Sequence, residues 1–222
     1  MTQGNAAPQE STDWTTGICA DAVQAQGCAE IVPCPNFLGD AVLVPEPPLA
    51  PISREEKETL FARLDKALRD PATLNEMQAK RCAIWQPAVV KVLSHLIARF
   101  NRCAHVRFDL NLATVCISFD EFKILLNELL ENALAYSNPK SDVVVKGRVS
   151  GSAYLVCVSD EGEGMHEDDF SHVTPYHQSE PQEDDGLGLH LCKRIAEVHS
   201  GALTIRSTPG EGTTATVVLP LG

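Results

Sequence analysis

The chain has 222 residues, enough for one sizeable domain and an appendage. Its formal net charge of −12 argues against a nucleic-acid-binding protein, because such proteins hold phosphates with an excess of Lys and Arg. No apolar run approaches the roughly 20 residues that span a bilayer, and the start lacks the basic and apolar regions of a signal peptide. We therefore expect a cytoplasmic protein with no membrane segment.

Residues 1–53 are predicted to be a low-complexity and linker segment, because they are rich in Pro, Ala and Gly. Residues 27–35 resemble the last strand of a response-regulator receiver domain, with Cys34 in the place of that family's lysine, and are interpreted as a receiver-like remnant. Three cysteines lie in this segment without the spacing of a zinc site. The other five are expected to be reduced, buried thiols: Cys82, Cys103, Cys116, Cys157 and Cys192.

Residues 54–102 are predicted to be helical. The first helix begins near Ser53, an N-cap residue followed by two glutamates, and ends before Pro71. A second helix is predicted over 75–82 and a third over 87–102, the latter with an apolar stripe at three- and four-residue spacing. The segment is interpreted as a helical pack or a dimer face that leads into the next domain.

From residue 103 the pattern changes to short strands and amphipathic helices, which predicts an α/β domain over 103–222. Strands are expected over 106–110, 115–119, 142–149, 153–159, 203–207 and 213–219. Helices are expected over 119–137 and 188–199. Paired strands with interspersed helices predict a two-layer α/β sandwich with a mixed sheet rather than a doubly wound parallel sheet.

The helix over 119–137 carries the first candidate site. Glu128 and Asn132 lie four residues apart, so their side chains share one face, and Asn127 and Glu131 form a second pair beside them. A carboxylate beside a carboxamide suits a hydrated Mg²⁺, which prefers oxygen ligands. The alternative is an ordinary solvated helix face.

Three glycine-rich stretches follow. Asp160-Glu161-Gly162-Glu163-Gly164 comes directly after a strand, Gly186-Leu187-Gly188 opens a helix, and Gly210-Glu211-Gly212-Thr213 forms the last hairpin turn. A helix N-terminus with glycines can seat a phosphate, and an aspartate at a strand end can accept a hydrogen bond from an amine. Taken singly, the three stretches are also typical of an acidic turn, a hinge and a plain hairpin.

Their order and spacing resemble the Bergerat-fold ATPases, the superfamily of gyrase, heat-shock chaperone, histidine kinase and mismatch-repair proteins. Residues 186–220 are most similar to the catalytic, ATP-binding domain of bacterial sensor histidine kinases, and the resemblance extends over about 87–222. It implies ATP and Mg²⁺ as cofactors, and it implies a response regulator or a histidine phosphoacceptor protein as the partner, with a homodimer as a further implication.

The resemblance also assigns roles to individual residues. Asn132 matches the Mg²⁺-binding asparagine, and Glu128 occupies a position where related families place an Asn, a His or a catalytic Glu. Residues 165–185 match the lid over ATP. The remaining matches belong to the adenine pocket and the phosphate loop: Tyr136, Asp160, Gly162, Gly164, Gly186, Gly188 and Thr214.

The chain departs from the family pattern in its charges. Ala135 stands where a Lys or Arg usually points at phosphate, and Asp184 and Asp185 replace a Gly and a Thr. Residues 160–185 contain ten Asp or Glu and no Lys or Arg. Because like charges repel a triphosphate, either Mg²⁺ and the helix terminus offset this charge or nucleotide binding is weak or absent.

No histidine stands in a recognisable phosphoacceptor motif. His95 alone lies on the upstream helices, and we interpret it as a helix-face residue. Three hypotheses therefore remain open: a histidine kinase domain that phosphorylates a histidine outside this chain, a degenerate regulatory module that acts through protein contacts, and a plain ATPase with Glu128 as base.

Overall fold

Five helices and seven strands make up the part of the chain that the computed structural model describes, residues 52–165 and 187–222. The helices are α1 Arg54–Ala67, α2 Pro71–Gln78, α3 Gln86–Arg99, α4 Phe119–Tyr136 and α5 Leu187–Val198. The strands are β1 Cys82–Ile84, β2 Val106–Leu110, β3 Ala113–Val115, β4 Val143–Ser150, β5 Ala153–Asp160, β6 Ala202–Thr208 and β7 Gly212–Pro220. The receiver-like stretch, the N-terminal cysteines and most of the lid lie outside the described residues.

A five-stranded sheet in the order β2-β4-β5-β7-β6 forms one layer. Strand β2 runs parallel to β4, with Val106 opposite Val143, and the other pairs are antiparallel. Side chains alternate between the two faces of a strand, so the buried residues of each strand point to one side. Helices α4 and α5 cover that face. The predicted two-layer α/β sandwich with a mixed sheet is confirmed.

Helix α1 begins where the sequence predicts. The Ser53 hydroxyl accepts a hydrogen bond from the Glu56 backbone N–H at 3.2 Å, and the Glu56 carboxylate accepts one from the Ser53 N–H at 2.8 Å. This reciprocal capping satisfies two backbone donors that the first turn would otherwise leave unpaired. Leu60 and Leu64 of this helix are buried. The apolar face of α1 thus belongs to the main core.

The predicted second helix is wrong in its bounds. It spans Pro71–Gln78, because the Asp70 side chain caps its first turn and Pro71 fits the first helical position. Cys82 belongs instead to β1, which pairs with β3 so that Cys82 lies opposite Val115. The prediction uses Pro71 only as the signal that ends the preceding helix, whereas Pro71 also begins the next helix.

The predicted strand over 115–119 is also wrong. Strand β3 ends at Val115, and Ser118 is the N-cap of α4, with Glu121 completing a second capping box. The remaining elements lie within a few residues of their predicted bounds. The domain boundary at residue 103 stays a prediction.

The cysteines follow their prediction only in part, since Cys116 and Cys157 are half-buried rather than buried. All five in the described residues are free thiols, and Cys82 and Cys192 are buried. Burial raises the pKa of the Cys82 thiol to about 11. Cys103 is exposed, contrary to the prediction. It follows the end of α3, where the chain turns at the surface toward β2.

No helix in the described residues is both long and apolar enough to cross a bilayer.

A buried hydrogen-bonded pair joins α4 to the residue that follows α5. The His199 Nε2 atom lies 3.2 Å from a carboxylate oxygen of Glu121, and both side chains are at most 3% exposed. Burial favours a raised pKa for Glu121, but hydrogen bonds from His199 and Ser118 outweigh burial and hold the pKa below its usual value. The charged carboxylate therefore stabilises the folded state.

We predict that Glu121→Gln lowers the free energy of unfolding at pH 7 by about 1–3 kcal/mol, because it removes a charged, hydrogen-bonded acceptor. Since the folded pKa is depressed, the stabilisation is complete above the unfolded pKa of about 4.3 and is lost as pH falls through the folded value. Urea titrations of wild type and variant from pH 7 down to pH 3 measure the difference.

The control is Glu58→Gln on α1, whose carboxylate pairs with Arg54 at 2.9 Å but is 50% exposed. Because exposed pairs contribute little, this change should cost less than about 1 kcal/mol. A Glu121→Gln penalty that stays constant down to pH 3 would show that the glutamate acts through its shape rather than its charge.

Candidate functional site

One cavity of about 520 Å³ opens where α4, α5 and the ends of β5 and β7 meet. Its wall is completed by the beginning of α1 and by residues 163–165, which follow β5. Six of the sequence-predicted site residues line it: Glu128, Asn132, Tyr136, Asp160, Gly164 and Gly188. Residues from three separate motifs thus meet around one space.

Two other predicted residues, Gly162 and Thr214, lie beside this cavity rather than in its lining. Gly162 packs behind the wall, and a Cβ there would lie 2.4 Å from the Tyr136 carbonyl oxygen. Thr214 shares a hydrogen bond of 3.0 Å with Ser159 and borders an adjoining depression, while its neighbour Thr213 lines the main cavity. Gly186 lies outside the described residues.

Asp160 ends β5 and is held by backbone donors. Its Oδ1 atom accepts hydrogen bonds from the Gly162 N–H at 2.9 Å and from the Thr213 N–H at 3.2 Å. Burial raises the pKa of Asp160, and these two bonds and the Arg102 charge offset only part of the rise. A fixed, partly desolvated carboxylate in a cavity is typical of a ligand-recognition site.

Two glycines permit the close approach of the last hairpin to this aspartate. Gly212 has φ +107°, and a Cβ there would lie 2.1 Å from the Asp160 carbonyl oxygen. Gly164 has φ +66°, and its Cβ would meet the Thr208 carbonyl oxygen at 2.0 Å. Both positions combine a left-handed conformation with a lack of space, so side chains are excluded there.

Glu128 lies at the other end of the cavity and is buried. The Lys57 Nζ atom of α1 lies 2.8 Å from each of its carboxylate oxygens and donates a hydrogen bond to Oε2. The Oε1 atom accepts no well-directed hydrogen bond in the described part of the chain. A Cβ at Gly188 would lie 2.5 Å from Oε2, so the carboxylate lies directly against the first turn of α5.

Arg102 is a second cation near the site that sequence analysis missed. Its side chain is 2% exposed, and its Nη2 atom donates to the Ser137 hydroxyl at 3.1 Å and to the Ser141 carbonyl at 2.7 Å. Ser137 follows Tyr136 at the end of α4 and pairs with Gly162 across an isolated bridge. Arg102 therefore fixes the turn beneath Asp160. No local pattern marks it, because its partners lie 35 and 39 residues away.

Comparison with known proteins agrees with this geometry. Residues 119–222 match the family described as histidine kinase-, DNA gyrase B-, and HSP90-like ATPase. This segment, a little under half of the chain, thus resembles the ATPase domains of that family. The match begins at the first residue of α4 and includes every element that borders the cavity except α1 and the end of α3.

Two relatives of this chain are a sensor protein and a sensory kinase. The alginate biosynthesis sensor protein KinB of Pseudomonas aeruginosa is 34% identical over 99 residues, 44% of this chain and 17% of that protein. The adaptive-response sensory kinase SasA of Synechococcus elongatus is 25% identical over 174 residues, 75% of this chain and 45% of that protein. The chain thus spans less than half the length of either relative.

A solved structure shares the fold. The Acinetobacter baumannii histidine kinase AdeS superimposes with a TM-score of 0.57 at 20% identity, over 74% of this chain and 77% of that one. At this identity the likeness concerns the arrangement of helices and strands. It confirms the predicted Bergerat-type layers.

Proposed function

We propose that residues 103–222 bind Mg·ATP in this cavity and transfer its γ-phosphoryl group to a histidine of a partner protein. The observation that carries the proposal is the position of Asp160, a half-buried carboxylate held by backbone N–H groups inside a segment that matches an ATPase family. Its carboxylate can accept a hydrogen bond from the exocyclic amine of adenine. The Tyr136 ring lies at the cavity rim, where it can contact the base.

The phosphates belong at the opposite end, beside α5. The first turn of this helix presents backbone N–H groups that have no partner within the helix, and the helix dipole adds positive potential. In the transfer, the bond from the γ-phosphorus to the bridging oxygen breaks, a bond to an imidazole nitrogen forms, and ADP leaves. Glu128 lies at this end and is placed to polarise the incoming nucleophile.

The residues present suit Mg²⁺. Asn132 lines the cavity, and its carboxamide oxygen is a ligand of the kind that Mg²⁺ takes. In the described residues, no group of three or more His, Cys, Asp or Glu side chains forms a metal cluster. This agrees with an ion held by one or two protein oxygens, phosphates and water. When bound, Mg²⁺ neutralises charge that develops on the phosphates.

We expect Asn132→Ala to remove the Mg²⁺ dependence of ATP binding while leaving adenosine affinity nearly unchanged. Titration calorimetry of adenosine and of a non-hydrolysable ATP analogue, each with and without Mg²⁺, separates the two effects. Asn138→Ala is the control, since Asn138 lies beyond the end of α4 on the surface. Equal losses for adenosine and for the Mg²⁺ complex would assign Asn132 a structural role instead.

A second candidate function is a degenerate regulatory module with little nucleotide affinity. The observation that favours it is the charge of the cavity, which is lined by the carboxylates of Glu128, Glu131, Asp160 and Glu163. Ala135 also lines it where a basic residue is usual. The same calorimetric titration decides between the candidates: absence of binding with Mg²⁺ present favours the regulatory module.

A further inference from the structure

We infer that helix α1 completes the phosphate end of the nucleotide site, and that Lys57 is the cation that contacts the terminal phosphates. This inference rests on the proposed function and extends it to a helix outside the segment that matches the ATPase family. In the structure the ammonium is paired with Glu128. We assign it a second partner, the phosphoryl group, when nucleotide is present.

The charges of the cavity call for such a cation. Among the described residues that line it, the only basic side chains are Arg54 and Lys57, and both belong to α1. The four carboxylates there and the acidic sequence over 160–185 give a triphosphate no other side-chain counterion in this cavity. Hydrogen bonds from charged donors are stronger than neutral ones. Two cations at this wall therefore offset part of the repulsion between the four carboxylates and a triphosphate.

The geometry places Lys57 where phosphates are expected. Its partner Glu128 lies against Gly188, the second residue of α5, and a helix N-terminus of this kind favours anions. The Lys57 Nζ atom lies 2.8 Å from that carboxylate, so it reaches the same anion-favouring end of the cavity. The Glu128 carboxylate, itself an anion, occupies this end in the structure.

Helix α1 is anchored firmly enough to present this side chain in a fixed position. Leu60 and Leu64 are buried in the core, and the Phe61 ring lies 5.7 Å from the His190 ring of α5. The Asp65 carboxylate lies 3.2 Å from the Arg194 guanidinium, also on α5. Because α1 is held to the helix whose N-terminus seats the phosphates, less entropy is lost when Lys57 binds them.

A purely structural ion pair between Lys57 and Glu128 is the competing explanation. It predicts that loss of Lys57 changes stability without changing the selectivity of the cavity for phosphates. The inference predicts the reverse: affinity for triphosphate falls and affinity for the bare nucleoside is kept. Nucleoside and triphosphate therefore form the decisive pair of ligands.

The test is titration calorimetry of the full chain with adenosine and with a non-hydrolysable ATP analogue plus Mg²⁺. We expect Lys57→Met to weaken analogue binding at least about tenfold and to change adenosine binding less than about twofold. Lys57→Arg should retain most of the analogue affinity because it keeps the charge. Lys66→Met, at an exposed lysine in the last turn of α1, should leave both affinities unchanged.

A double-mutant cycle adds a second, independent measurement. Glu128→Gln frees Lys57 from its carboxylate, so analogue affinity should rise at least about threefold, and this rise should vanish when Lys57→Met is added. Unchanged selectivity in Lys57→Met, or a rise that persists in the double variant, overturns the inference alone. A wild-type chain that binds neither ligand overturns the proposed function and this inference together.

Discussion

Asp160→Asn is expected to weaken binding of the Mg²⁺ complex of an ATP analogue by about 10- to 150-fold, which is the loss of roughly 1.5–3 kcal/mol for a charged acceptor. The Oδ1 atom already accepts two backbone hydrogen bonds, and an asparagine oxygen can keep both. The amide nitrogen must then take the other position, where it presents a donor to the adenine amine, which is also a donor. Folding is retained and recognition of the base is lost.

The base preference provides the sharpest measurement. A guanine carries an oxygen where adenine carries its amine, so the asparagine donor should raise the affinity for guanosine relative to adenosine. Competition titrations with the two nucleosides measure this ratio. Asp109→Asn, at an exposed aspartate paired with Arg148 on the edge of the sheet, serves as the control. Equal ATP affinity in wild type and Asp160→Asn contradicts the assignment of the adenine pocket.

We also predict that the purified chain does not phosphorylate itself. After incubation with γ-labelled ATP it should carry no acid-labile, base-stable phosphate. His95 lies on α3 and its Nδ1–H donates to the Val92 carbonyl at 2.8 Å. The residue that follows it, Leu96, is buried and supplies no carboxylate to take the imidazole proton. His190 and His199 are buried. These environments do not favour attack on the γ-phosphorus.

His105 is the described histidine that comes nearest to an acceptor's environment. Its Nδ1 atom lies 3.5 Å from the Asp142 carboxylate, but Arg107 binds the same carboxylate at 2.7 Å. His95→Ala and His105→Ala therefore accompany the labelling assay. A signal on the wild-type chain that either variant removes would make the protein a complete autokinase. Label that appears only on an added histidine phosphoacceptor protein agrees with transfer in trans.

Local sequence signals predicted most of the fold. The three- and four-residue spacing of apolar residues placed α4 to within one residue of its end. Alternation and turn glycines placed β4, β5 and β7 with similar accuracy. The errors fell where a residue carries two signals, as Pro71 does when it ends one helix and opens another. They also fell on β1 and β3, three-residue strands whose formation depends on their partner.

The candidate site was predictable where a functional residue and its neighbours in space lie in the same short motif. Asp160 with its glycines is such a case, as are Glu128 and Asn132 on one helix. Lys57 was not, because its contact with Glu128 joins residues 71 apart in the chain. The sequence shows that the predicted site is rich in carboxylates and poor in basic side chains. That Lys57 reaches this site follows only from the packing of α1 against α5 in the structure.

The attachment of α1 to the nucleotide cavity has a thermodynamic consequence. If a phosphate ligand and α1 share Lys57, then nucleotide binding and docking of α1 are linked, and each must strengthen the other by the same factor. Couplings of this kind typically reach 1–3 kcal/mol, or about 5- to 150-fold in affinity. A partner that competes for the apolar face of α1, formed by Leu60 and Leu64, would then lower ATP affinity without touching the cavity. The helix that precedes the ATPase segment would thus serve as an input to it.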